Sequence, residues 1–209
     1  DAITLSEGHG LQSGDTIYLY QPNTPEYLAA NGWTNVVWSE ADQRPFREFI
    51  VEIASVEDNV IHLTHPLPYA MDLGETRVFS VEMLHGVRLS DFTLTYDLGA
   101  SDPYDFTNTL PDYDGLSAIQ LTSVSGAHLD NISIIDAASN GISLTSCIGV
   151  TGNNLYVEGA LNKGSDGNGY SLLLSEAFNN SFIGLDLYDG RHSVIFSAWN
   201  AETGNLIEV

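Results

Sequence analysis

Basic residues are scarce: six Lys and Arg stand against 28 Asp and Glu, for a formal charge of -22. A phosphate backbone is bound through clusters of Lys and Arg that release its counterions, so nucleic acid and anionic membrane surfaces are excluded as partners. Cysteine is almost absent, and Cys147 alone rules out an intrachain disulfide. No apolar run is long enough to suggest a membrane span, and no charged-then-apolar stretch suggests a signal peptide. Helical periodicity is missing too, and no helix is needed anywhere. What remains is a chain of 209 residues, 43% of them hydrophobic, which supports a folded core in one or two domains. Its acidic, Lys-poor surface suits extracellular or salty surroundings and can hold divalent cations.

What the chain does have is a repeat. Phe79, Ile119, Ile142, Leu172 and Val194 form a column with successive differences of 40, 23, 30 and 22 residues. The same differences relate Val81, Leu121, Leu144, Leu174 and Phe196; Phe92, Ile132, Leu155, Leu185 and Ile207; and Leu94, Ile134, Val157, Leu187 and Val209. A fifth column holds Leu84, Val124, Cys147, Ala177 and Trp199. Two-residue alternation inside the paired columns means strands, with one side chain inward and the next outward. Val87 with Leu89 and Ala127 with Leu129 supply a third short strand per coil. Gly86, Gly126 and Gly149 recur at one turn, as a left-handed or crowded bend requires. Asp91, Asn131 and Asn154 share another column, where polar side chains can stack as a ladder.

These repeats, with turns such as GVTGNNLYV and AFNNSFIGLDL, resemble the right-handed parallel β-helices of the pectate-lyase-like superfold. Segments such as GNGYSLLLSEAFNNSFIGLDLYDGRHSVIFSAW are similar to β-helical parts of secreted bacterial polysaccharide-active proteins and phage tail proteins. The resemblance implies an all-β chain: residues 77–209 as a parallel β-helix of three strands per coil and about five coils, after a small β-rich capping module over 1–76. In that module GLQSGDTIYLYQP, PFREFIVEIASV and NVIHLTHPL read as β runs, and residues 22 to 48, with Trp33 and Trp38, are candidates to cover the end coil. Ile207 and Val209 fall in core columns, which predicts that further coils, or another subunit, cover the C-terminal end.

Insertions in a solenoid emerge from its turns and mark the face it uses. The long intervals place extra residues after Leu94 and after Val157, so the loops Tyr96–Ser117 and Gly159–Gly169 rise from one corner. The turn Asp136–Asn140 lies between them. Asp136, Glu158 and Asp189 fall on successive turns of that edge, within the 5 to 10 Å that glycoside hydrolysis requires of two carboxylates. Lys163 tops the second loop, and Arg191 and His192 follow Asp189. Together these cations could neutralise a uronate and remove its C5 proton in a β-elimination, with Tyr170 or Tyr188 donating to the leaving oxygen. The negative field of the chain weighs against a polyuronate. Tyr104 and Tyr113 are further candidate sugar contacts. Asp102, Asp105, Asp112, Asp114 and Asp166 are oxygen donors that could hold Ca2+, although neither loop matches an EF-hand. The expectation is an extracellular or virion-surface protein that engages a polysaccharide as lyase or hydrolase. The alternative is a non-catalytic adhesin, stalk or tail-fibre module.

Overall fold

A computed structural model describes residues 1–32, 45–72, 74–196 and 202–209. The chain divides into two compact units, Asp1–Met83 with Ala198–Thr203, and Leu84–Ser197 with Gly204–Val209.

The first unit is a five-stranded antiparallel sheet. It contains β1 (Ala2–Thr4), β2 (Thr16–Gln21), α1 (Pro25–Ala30), β3 (Arg47–Glu57), β4 (Val60–Leu63) and β5 (Arg77–Val81), with strand order β1-β4-β3-β2-β5. Alternation buries Ile17, Leu19, Phe49, Val51, Ile53 and Ile61 on one side. The helix α1 was not expected. Its signal is local: Thr24 caps it by accepting from the Tyr27 amide at 3.2 Å, and Pro25 occupies the first turn. Trp33 and Trp38 lie outside the described residues. Phe79 and Val81 do not belong to the solenoid columns assigned to them, because Phe79 faces Tyr18 in an antiparallel pair of β5 with β2. Alternation of apolar residues is the same in both kinds of sheet and cannot separate them.

The second unit is a right-handed parallel β-helix with three ladders. One contains β7 (Arg88–Thr95), β10 (His128–Ala137), β12 (Thr151–Ala160), β14 (Ser181–Tyr188) and β16 (Leu206–Glu208). A second contains β8 (Ser117–Thr122), β11 (Asn140–Thr145), β13 (Tyr170–Ser175) and β15 (His192–Phe196). The third is short, pairing β6 (Leu84–His85) with β9 (Val124–Ser125) and continuing through single bridges at Ile148 and Phe178. The columns of Ile119, Ile142, Leu172 and Val194, and of Leu94, Ile134, Val157 and Leu187, are in register as spaced in the sequence. Their side chains fill one core, in which Cys147 is fully buried.

Two details of the register differ from expectation. Leu89 and Leu129 do not start a separate strand; they lie on the same strands as Phe92 and Ile132, bent at Asp91, Asn131 and Asn154. All three bend residues have φ of 51 to 62°, a left-handed conformation that Asn and Asp tolerate. There the Asn131 amide donates to Asp91 at 2.8 Å and that of Asn154 to Asn131 at 2.9 Å, the expected ladder. In the last coil Ile207 lies opposite Phe182 rather than Leu185. An asparagine stack explains the shift: Asn205 accepts from the Asn180 amide at 2.9 Å and donates to the Ala177 carbonyl at 2.8 Å, which sets β16 from that turn.

Candidate functional site

The corner after the first ladder bends through Asp136, Gly159 and Asp189, with φ of 51, 79 and 51°. Aspartate and glycine are the residues that accept this conformation, so the fold itself places two carboxylates two coils apart with bare backbone between them. A Cβ on Gly159 would stand 2.7 Å from Asp136 Oδ1 and 3.0 Å from Ser101 Cβ. That space is taken by Ser101 from the first inserted loop. Its amide donates to Asp136 at 2.8 Å, and its hydroxyl lies 2.7 Å from Asp189 Oδ2 and 2.9 Å from the Ala160 carbonyl.

Lys163 does not top its loop; only 1% of it is exposed. Burial of an ammonium demands compensation, and Nζ has it: 2.8 Å to Asp189 Oδ1, 2.6 Å to the Asp102 carbonyl and 3.2 Å to Ser101 Oγ. Three N–H groups thus meet three acceptors. Ser101 beside a lysine has the composition of a Ser–Lys dyad, but an ammonium ion-paired to Asp189 is no base.

Asp136, Glu158 and Asp189 do come together. With Ala100, Ser101, Pro103 and Ile135 they line a pocket of about 350 Å³. Glu158 precedes Gly159 and points outward from β12, where the Tyr156 hydroxyl donates to its Oε2. Tyr188 on the next coil lies opposite Glu158, and its ring centroid stands 5.7 Å from that of Tyr156, at 46°. Exposed Asp186 lies opposite Tyr156. Tyr156 and Asp186 were not singled out from sequence, although Tyr156, between core residues Leu155 and Val157, must point outward by alternation.

The hydrogen bond to Glu158 favours the neutral phenol and pushes the Tyr156 pKa up to about 12. Because the folded value lies above the ordinary 10.0, the stabilisation this bond provides is complete below pH 10 and is lost as pH rises towards 12. Ultraviolet titration should therefore show Tyr156 titrating late in the wild type and moving back towards 10 in Glu158→Gln, while Tyr69, which burial also pushes up, stays late in both.

Arg191, His192 and Tyr170 lie outside that pocket lining. The Arg191 guanidinium donates to the Gly164 carbonyl, and the exposed His192 ring packs 5.5 Å from Tyr170, its partner in the second ladder. Of the proposed cation ligands, Asp102 accepts from the Tyr104 amide, Asp105 from Thr107, Asp114 from Asn162 and Asp166 from Ser165. Asp112 sits in a 3-10 turn, Pro111–Tyr113. Among the described residues no three His, Cys, Asp or Glu are grouped so that they could hold a metal ion. Tyr104 is 89% exposed and Tyr113 half-buried, both on the first loop.

The two inserted loops are joined by asparagines, which sequence reasoning also missed. The Asn162 side chain bonds both N–H and C=O of Leu110, at 2.8 and 2.7 Å. Asn168 accepts from the Gly115 amide and Asn108 from that of Gly164. Asn162 and Asn168 are fully buried, so each side chain replaces the water that loop backbone would otherwise need.

No family model matches the chain, and no curated protein matches it. Among solved structures, the tailspike protein gp49 from Pseudomonas phage LKA1 is similar, with a TM-score of 0.68 at 14% identity, over 98% of this chain and 30% of that one. The tailspike gp61 from Pseudomonas phage phi297 gives 0.61 at 14% identity, over 88% of this chain and 26% of that one. The fold is that of these tailspikes. The chain spans less than a third of either protein's length. Among the described residues no helix is long and apolar enough to cross a membrane.

Proposed function

We propose that the chain is part of a tailspike-like protein of the virion surface that binds an extracellular polysaccharide along the loop-bearing edge and hydrolyses it there. The observation that carries this reading is the pocket in which Asp136, Glu158 and Asp189 meet beside the Tyr156–Tyr188 pair. Two tyrosines on adjacent coils offer apolar faces to sugar C–H groups, and the acids supply proton transfer.

Glu158 and Asp136 are the proposed catalytic pair. Their backbones stand one coil sideways and one residue along, about 6 Å apart, and both side chains line the same pocket; glycosidases act through carboxyl pairs about 5 to 10 Å apart. Asp136 gives one oxygen to the Ser101 amide, whereas both oxygens of Asp189 are engaged by Ser101 and Lys163. Asp189 therefore shapes the pocket. Elimination is less well supported, because Lys163 is consumed by its partners and Arg191 holds the Gly164 carbonyl. A field of 22 excess negative charges favours neutral or amino sugars over polyuronates.

The test is incubation with neutral, amino-sugar and uronate polysaccharides, with and without Ca2+, following reducing ends and unsaturated-product absorbance in parallel. Reducing ends without absorbance are expected. Absorbance growth would replace hydrolysis by elimination, and retention of polymer without either product would leave an adhesin.

A further inference from the structure

We infer that residues 99–105 form a strap across the acidic pocket, whose fastening through Ser101 and Asp102 depends on the buried ammonium of Lys163. Ala100, Ser101 and Pro103 wall the pocket, yet Ala100, Asp102, Pro103 and Tyr104 are exposed. The strap has little packing of its own. It starts at Gly99, whose φ of 116° leaves it a conformational freedom other residues lack. From Asn108 onward the same loop is clamped by Asn162 and Asn168. Between those ends the attachments centre on Ser101 and Asp102, and Lys163 Nζ reaches both of them and Asp189 beneath. Lys163 is thus a positioning residue: without it, the Ser101 hydroxyl faces an unneutralised Asp189, and the Asp102 carbonyl keeps only the Asp105 amide, which belongs to the strap itself.

The strap is a local opening unit because the asparagine clamp beyond it does not depend on Lys163 Nζ. Its opening lengthens the pocket along the edge, towards a polymer rather than a short oligosaccharide; that consequence rests on the pocket being the polysaccharide site, while the strap itself does not.

Amide hydrogen exchange on Lys163→Met tests it. Methionine keeps the packing against Gly169 and removes the charge. The amides of Ser101, bonded to Asp136, and Asp105, bonded to the Asp102 carbonyl, should exchange at least about tenfold faster. Those of Gly115 and Gly164, held by Asn168 and Asn108, should stay within about twofold. Unchanged strap amides, or equal acceleration at Gly115 and Gly164, would overturn the inference. Should Lys163→Met not fold, Asp189→Asn keeps the left-handed bend, removes the carboxylate that holds the ammonium, and must show the same local pattern; its absence overturns the inference equally. Polysaccharide cleavage is measured alongside. A loosened strap with unchanged cleavage removes the pocket from the function and leaves the strap standing.

Discussion

Glu158→Gln lowers reducing-end release at least about 100-fold, the loss expected when a general acid–base group is removed, and lowers the thermal melt only slightly, since the Tyr156 bond it weakens is solvent-screened. The carboxylate is exposed on the outer side of β12, so an isosteric amide disturbs no core contact. The Tyr156 hydroxyl can still donate to the amide oxygen, which keeps the side chain in place. What is lost is the ability to exchange a proton with the glycosidic oxygen. Pairing the assay with Arg191→Ala and His192→Ala together separates the chemistries. Hydrolysis at the acidic pocket survives that double change, whereas an elimination that relies on those residues does not. A Glu158→Gln protein with full activity would remove Glu158 from the reaction.

The second large effect concerns the core that carries the site. Gly152 stands opposite Phe182 on β14, and a Cβ there would lie 2.3 Å from Phe182 Cδ1 and 2.8 Å from Leu155 Cδ1. The ring occupies the space that the missing side chain leaves, and it is fully buried. Phe182→Ala should therefore cost about 3–5 kcal/mol, the range for emptying a buried aromatic site. Gly152→Ala should cost about 1–3 kcal/mol by overpacking. The two changes share one volume, so the double variant should be less destabilised than the sum by about 1 kcal/mol or more. Denaturant melts of the four proteins give the cycle. Strict additivity would mean that ring and glycine do not compete for that space.

Much of the solenoid was legible because its determinants are local. Inward apolar residues repeat at every coil, and left-handed bends favour Gly, Asn and Asp, so Gly86, Gly126 and Gly149 and the ladder of Asp91, Asn131 and Asn154 could be read by subtraction, whereas the left-handed Ser123, Ser146 and Glu176 carry no such mark. The register of β16 was not, because the Asn180–Asn205 stack, and not equal spacing, decides it. Phe79 was misplaced because strand alternation carries no sign of parallel or antiparallel pairing.

At the site, the meeting of Asp136, Glu158 and Asp189 followed from coil arithmetic, since neighbours in a stack must be neighbours in space. The burial of Lys163 did not. A lysine in a polar loop reads as exposed, and only Asp189, 26 residues on, with Asp102 and Ser101, 61 and 62 residues back, make its burial tolerable. Loop-to-loop contacts of this kind have no period, which is also why the clamp of Asn108, Asn162 and Asn168 could not be read from spacing.

The most direct measurement is a crystal structure of Glu158→Gln with an oligosaccharide cut from a polysaccharide that the wild-type protein degrades. The account predicts a sugar lying over Tyr156 and Tyr188, with a glycosidic oxygen within hydrogen-bonding reach of residue 158 and Asp136 on the other side of the scissile bond. Sugar bound at a different face, with the acidic pocket empty, would contradict it.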